Sequence, residues 1–199
     1  MTIEQFIMRV HAISKIGLKY SSDPYALENY QELMELSTEM INQVVEQPLE
    51  TDFYERDLYP TPSISVRVLL LNEKGKFLMV KEAADGKYSL PGGWCDVFDS
   101  PKQTAIEECL QETGYNVAIH KLLGVFFRDK YKPKMQSLIS EYVIYFFGEI
   151  IDGDNNFSHE VTETKYFSLN DLPELSIKNS EIEIRRALQS IKKGVSDFD

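Results

Sequence analysis

Leu90–Val117, which reads LPGGWCDVFDSPKQTAIEECLQETGYNV, leaves this chain little choice of local structure. Leu90-Pro91-Gly92-Gly93 forces a sharp turn and lets a ligand approach bare backbone, because proline presets φ and glycine has no Cβ. Ser100-Pro101 then starts a helix. The serine caps free amides, and proline is pre-set for the first helical position. Thr113-Gly114 ends it, with glycine where a left-handed C-terminal cap belongs. The product is a loop–helix–loop module.

Glu107, Glu108 and Glu112 crowd into two turns of that helix. Glu108 and Glu112 are four apart, so their side chains leave the same face. Like charges at this spacing weaken an isolated helix by roughly 0.2–0.5 kcal/mol. Either the pair is a solvated acidic face, or a hard divalent cation neutralises it, since Mg²⁺ favours carboxylate oxygens plus water.

The stretch resembles the Nudix box: Gly, five residues, Glu, seven residues, then Arg-Glu-apolar-any-Glu-Glu-any-Gly-apolar. Gly93, Glu108, Glu112 and Gly114 match at the required spacing, and Cys109 and Tyr115 fill apolar slots. Three positions depart: Asp99 stands for the first Glu, Glu107 for the Arg, and Gln111 for the first Glu of the closing pair. The resemblance implies that Glu108 and Glu112, with the Gly92 carbonyl, hold Mg²⁺, with Mn²⁺ as the alternative. It also implies that the residue at Gln111 binds or supports metal, and that the residue at Glu107 steadies the carboxylates. A neutral Gln111 has less need of an arginine one turn away, so the two losses are read as coupled. Disturbing the outer support of a metal site typically costs roughly 10–100-fold.

The chain has 199 residues, enough for one good core and a small second unit. No run of about 18 apolar residues predicts a membrane span, and MTIEQFIMRV is amphipathic rather than a signal peptide. Both cysteines, Cys95 and Cys109, fall inside the motif, so a disulfide framework is not expected and the cytoplasm is. Cys109 reads as a small buried apolar residue and Cys95 as an accessible loop thiol. A net charge of -11 argues against nucleic-acid and anionic-membrane partners. Residues 1–58 hold four basic against eleven acidic side chains, the balance of a scaffold rather than a phosphate surface.

Residues 2–16 place Ile3, Phe6, Ile7, Val10, Ile13 and Ile16 on a helical stripe that Gly17 is expected to end. Ser22-Asp23-Pro24 starts a second helix, whose face runs through Leu27, Tyr30, Met34, Ile41 and Val44. Two amphipathic helices need a further surface, either the rest of the chain or a second copy of it in a homodimer. Such a leader ahead of a GGW-type box is similar to a bacterial subgroup of nucleoside-diphosphate-X hydrolases. The expected division is a helical N-terminal domain with linker over 1–58 and a catalytic domain over 59–199. Proline-bearing Glu46–Pro62 is the linker.

Ser63–Leu71 alternates as a strand with Ile64, Val66, Val68 and Leu70 on one face. Arg67 interrupts the other face, where it is either ion-paired or aimed at a substrate pyrophosphate. Turns at Asn72–Lys76 and Asp85-Gly86 lead through a second strand back to the box. Val117–Arg128 and aromatic Tyr142–Ile151 are further strands, the latter central. Between them Asp129–Gln136 carries Lys130, Lys132 and Lys134, a solvated loop or a phosphate-facing one. A last strand spans Thr164–Ser168, and Ser180 caps a last helix with Glu181 and Glu183 favouring its dipole.

The fold expected is α/β: a Nudix α/β/α sandwich with a mixed sheet, preceded by the small helical domain. The resemblance implies hydrolysis of the diphosphate linkage in a small nucleoside diphosphate joined to X, of the ADP-ribose or CDP-choline kind. A carboxylate takes the proton from water: Glu163 first, Glu160 second, both before the last strand, with Glu108 the candidate inside the box. Gly93 backbone, Tyr88 and Trp94 are candidate substrate contacts, the two rings either walling a base or sugar or packing in the core. The altered box also admits a nucleotide sensor or partner-binding regulator that does not cleave.

Overall fold

The computed structural model describes residues 2–44, 61–96, 99–131 and 139–199. The chain divides into two compact units, one containing the two N-terminal helices and the other beginning at Ser63. Most of the linker expected over Glu46–Pro62, and of the lysine loop over Asp129–Gln136, lies outside the described residues.

In the first unit α1 spans Ile3–Tyr20 and α2 spans Pro24–Val44. Thr2 and Gln5 form a capping box on α1, while Asp23 Oδ1 accepts from the amides of Tyr25 and Ala26 at the start of α2. Gly17 does not end α1. A methyl group there would stand 2.4 Å from the Tyr30 ring, so the glycine serves the close approach of the two helices. Ile7, Met8, Ala12 and Ile41 are buried between them, together with His11, Ser14 and Ser37. Ser37 gives its proton to the Met34 carbonyl, which leaves its oxygen to accept from His11 Nδ1 at 2.9 Å. Of the predicted stripe, Ile3, Phe6 and Ile13 are exposed, as are Leu33, Leu36 and Met40 of α2. Packing of α1 on α2 therefore consumes only part of the pair's apolar surface.

The second unit contains β1 (Ser63–Leu70), β2 (Phe77–Glu82), β3 (Tyr88–Ser89), α3 (Pro101–Thr113), β4 (Tyr115–Phe127), β5 (Glu141–Gly153), β6 (Val161–Phe167), α4 (Glu181–Lys193) and β7 (Asp197–Phe198). Strands β1-β5-β4-β7 form a mixed sheet, with β5 parallel to β1 and antiparallel to β4. A second, antiparallel sheet has the order β3-β2-β6, and an antiparallel bridge from Leu71 to Phe77 links it to the chain leaving β1. Aromatic β5 is central, as its composition predicts.

β1 is buried on both faces, which sets the layering. Val66, Val68 and Leu70 pack with Ala105 and Cys109 of α3. Leu69, from the opposite face, packs with Ile184 and Ala187 of α4. The result is an α/β/α sandwich with α3 and α4 on opposite sides. β6 begins at Val161 rather than Thr164, so Glu163 lies within the strand and not ahead of it. Arg128 falls just beyond β4, in a 3-10 turn.

Candidate active site

The site forms where Leu90-Pro91-Gly92-Gly93-Trp94 runs antiparallel along β1. Val68 donates to the Pro91 carbonyl and Val66 to that of Gly93, each at 2.9 Å. Gly92, between them, turns its amide the other way and donates to Glu112 Oε2 at 2.8 Å. Its φ of +140° is open to glycine alone, and a Cβ would meet the Val66 carbonyl oxygen at 2.1 Å. Gly93 lies against the other carboxylate: its Cβ would stand 2.1 Å from Glu108 Oε1. Backbone thus requires the first glycine, and the second gives the Glu108 carboxylate its place.

α3 presents the two acids with the caps its sequence predicts. Ser100 and Gln103 make a capping box, Pro101 opens the helix, and Gly114 closes it at φ +75°. Glu112 is buried and Glu108 half-buried. Burial pushes the Glu112 carboxyl up to about 7, against the pull of the Gly92 amide and of Arg67. Burial also raises Glu108. Arg67 and Lys178 oppose that rise, while Glu160 adds to it. Both shifts favour whatever neutralises the two carboxylates.

Arg67 is buried on the α4 side of β1. It donates Nη1 to the Val66 carbonyl at 2.7 Å and Nε to the Lys178 carbonyl at 3.5 Å. Among the described residues it forms no ion pair, and its charge acts on Glu108 and Glu112 from beneath. Sequence reasoning missed the groups that hold this floor in place. Asn179 Oδ1 accepts from the Leu90 amide at 2.8 Å, and its Nδ2 donates to the Tyr145 hydroxyl at 2.9 Å. Lys178 Nζ lies 2.6 Å from Glu82 Oε2, and Ser89 donates to the other oxygen of that buried carboxylate. Arg128 donates to Glu183 and to the Ile177 carbonyl. Glu183, in the first turn of α4, is wholly buried.

The remaining candidates are spread around this centre. Glu160 sits in the turn before β6, near enough for its charge to raise Glu108. Glu163, by contrast, accepts from the Tyr88 hydroxyl at 2.7 Å. Tyr88 is packed edge-on to Phe167 at 4.9 Å, in the cluster on the α4 side of the sheets. Trp94 is exposed, its backbone bridged to Ser65. Asp99 precedes the helix cap, its amide donating to the Asp96 carbonyl at 3.2 Å. Glu107 and Gln111 are exposed on α3, and the Gln111 carbonyl accepts from Ser158 at 2.9 Å, tying the helix to the turn that carries Glu160.

Among the described residues, no three His, Cys, Asp or Glu side chains gather closely enough to hold a metal unaided. The donor set fits Mg²⁺ nonetheless, because that ion is usually held by one or two carboxylates and completed by water and phosphate oxygens. Glu108 and Glu112 are such a pair. A site of this kind, with paired carboxylates on a capped helix, glycine backbone beside them and cations near them, belongs to proteins that handle polyphosphates with the help of a divalent ion.

The chain belongs to the NUDIX family of hydrolases. Residues 61–188 match the NUDIX domain, and residues 3–51 match a domain described as UDP-X-like, N-terminal oligomerisation domain. It is 34% identical to the Bacillus subtilis (strain 168) protein named "Putative ADP-ribose pyrophosphatase YjhB", over 86% of this chain and 83% of that one. An ADP-ribose pyrophosphatase of Methanocaldococcus jannaschii is 27% identical over 66% of this chain and 76% of its own length. Among solved structures, a UDP-X diphosphatase superposes with a TM-score of 0.66 at 25% identity, covering 98% of this chain and 96% of that one. An ADP-ribose pyrophosphatase of Streptococcus suis 89-1591 gives 0.62 at 29% identity, covering 70% of this chain and all of its own. No helix among the described residues is long and apolar enough to cross a membrane.

Proposed function

We propose that this chain hydrolyses the diphosphate linkage of a nucleoside diphosphate joined to a second group, with ADP-ribose the first substrate to test and CDP-choline and UDP-sugars next. One observation carries the reading: the Gly92 amide holds the buried Glu112 carboxylate at 2.8 Å, and Glu108 lies so close to Gly93 that a Cβ there would displace its carboxylate. The names borne by relatives at 34% and 27% identity support the choice of ADP-ribose.

Glu108 and Glu112 are the residues that would hold Mg²⁺ or Mn²⁺. When bound, the ion would neutralise charge on the diphosphate and lower the pKa of water. The Gly92 amide orients Glu112, and Arg67 supplies fixed positive charge from below. Glu160 is the better placed of the two outer carboxylates to accept a proton near Glu108, because Tyr88 already engages Glu163. Trp94 is free to lie against a base or sugar.

Residues 59–199 act as the catalytic domain and 1–58 as the domain through which two copies associate in the cytoplasm. Exposed Ile3, Phe6 and Ile13, with Leu33, Leu36 and Met40, supply an apolar face for that contact.

The test is a panel of ADP-ribose, CDP-choline, UDP-glucose and dinucleotides incubated with purified protein and Mg²⁺ or Mn²⁺, followed by release of nucleoside monophosphate. Metal-dependent cleavage abolished by Glu108→Gln is expected. An intact panel with a ligand-induced rise in melting temperature would instead make the protein a sensor.

A further inference from the structure

We infer that Lys178 is a substrate-contacting residue that recognises the diphosphate, held in place by the buried carboxylate of Glu82. The inference rests on the proposed function above and names a further residue for the same site.

An anionic substrate must enter a protein of net charge -11, beside Glu108, Glu112 and Glu160. Bound metal offsets part of that repulsion, and the rest falls to side-chain cations. Two of them act on both Glu108 and Glu112, namely Arg67 and Lys178. Arg67 is buried under β1 with Nη1 committed to the Val66 carbonyl. Lys178 keeps 38% of its side chain exposed, so it is the cation that solvent and a ligand can both reach.

Its position is built rather than incidental. Segment 174–179 is stitched to the strand leading into the glycine turn: Tyr88 donates to the Glu174 carbonyl at 2.9 Å, and Ser176 donates to that of Tyr88 at 2.8 Å. Ser176 Oγ reaches Asp85 at 2.9 Å, and Asn179 pins the Leu90 amide. Glu82 is buried, takes the Ser89 hydroxyl on one oxygen and meets the Lys178 ammonium at 2.6 Å with the other. An ammonium carries three donors, so one bond to Glu82 orients the head and leaves two for phosphate oxygens. Glu82 thus acts as a positioning residue and Lys178 as the contact.

The rival role is structural, with Lys178 present only to neutralise Glu82. Steady-state hydrolysis of ADP-ribose by the full chain separates the two, using Lys178→Met, Lys178→Arg, Glu82→Gln and the Lys178→Met/Glu82→Gln pair. Loss of a charge-assisted phosphate contact should raise KM about tenfold or more in Lys178→Met, with kcat changed by no more than about threefold. Lys178→Arg should give a KM between those of the wild type and Lys178→Met, since its charge is kept but its geometry is not, and the double variant should keep the raised KM because the substrate contact is still missing. A double variant restored to wild-type KM, or an unchanged KM in Lys178→Met, would overturn the inference. ADP-ribose affinity measured by calorimetry on the same proteins keeps the two claims apart. If the wild type binds without cleaving, the hydrolase reading fails and Lys178 is judged on Kd by the same pattern. If it neither binds nor cleaves any nucleotide of the panel, both fall.

Discussion

Gly93 faces Glu108 so closely that a single methyl group on the glycine would lie 2.1 Å from the carboxylate oxygen. Glu108 and its glycine are therefore one steric unit, although they stand fifteen positions apart in the sequence. Its neighbour Gly92 is constrained differently, by a positive φ and by the Val66 carbonyl.

This difference predicts opposite phenotypes for two alanine substitutions. Gly93→Ala pushes against the end of a half-exposed side chain, which can swing away. Stability should change little, while the displaced carboxylate should cost about a hundredfold in kcat, the usual penalty for misplacing a reacting group by an ångström. Gly92→Ala pushes against backbone in a conformation that L-residues rarely adopt, and should destabilise the domain by about 2 kcal/mol or more. Thermal unfolding beside initial rates separates the cases. Equal losses of stability in both would refute the distinction.

Glu112 makes the metal-free protein pH-sensitive. Its carboxyl is raised from an ordinary 4.5 to about 7 by burial, so between those values the folded state binds the proton more tightly than the unfolded state does. The stabilisation is complete below about pH 4.5 and is lost as pH rises through 7. Each tenfold gain in proton affinity on folding is worth about 1.4 kcal/mol, so the group accounts for up to about 3 kcal/mol. With chelator present, the difference in melting temperature between pH 8 and pH 6 should shrink in Glu112→Gln. Mg²⁺ should raise the wild-type melting temperature more at pH 8 than at pH 6, because it binds the deprotonated form. A Glu112→Gln variant with an unaltered pH profile would remove the burial account.

Glu107 and Gln111 mark the side of α3 that points to water. Their departure from the family pattern therefore leaves packing alone, and the effect we predict is on metal affinity. Gln111→Glu should lower the Mg²⁺ concentration for half-maximal activity by about tenfold, and adding Glu107→Arg should leave the melting temperature nearly unchanged. Metal titrations of the single and double variants report this directly. An unchanged Mg²⁺ requirement would mean that Glu108, Glu112 and the substrate already complete the ion's shell.

The parts legible in the sequence are those that local chemistry decides. Ser100, Pro101 and Gly114 bound α3 because caps act within a few residues, and the spacing of Glu108 and Glu112 dictates their common face. Less legible is anything settled by a distant partner. Gly17 looks like a helix stop, yet it serves the Tyr30 ring; a missing side chain carries the same letter whether backbone or neighbour requires it. Asn179 and Glu82 meet partners 89 and 96 residues away, and neither lies in a motif. The usable signals are slight: an acid two places past the apolar run Phe77-Leu78-Met79-Val80, and an asparagine just before a helix cap. Family habit places Glu163 ahead of Glu160; the strand start at Val161 and the Tyr88 hydroxyl, on which our proposed order rests, are not visible in the sequence.

Arg128 and Glu183 show how such a distant pair governs stability. Both are buried, and Glu183 Oε2 also accepts from the Ser180 amide and hydroxyl, at 2.9 and 2.7 Å, as the capping partner of α4. Its Oε1 has no hydrogen-bond partner among the described residues. Burial raises the carboxyl and Arg128 pulls it back. Removing the arginine alone strands a charge in the core, so Arg128→Met should cost about 3–5 kcal/mol. Glu183→Gln in the same chain removes that charge while keeping a side chain able to serve a capping box, and should recover most of the loss. Urea unfolding of the two single variants and the double variant gives the coupling energy. If the double variant were as unstable as the sum of the singles, Arg128 would matter through its bond to the Ile177 carbonyl, and the segment that carries Lys178 and Asn179 would depend on that bond instead.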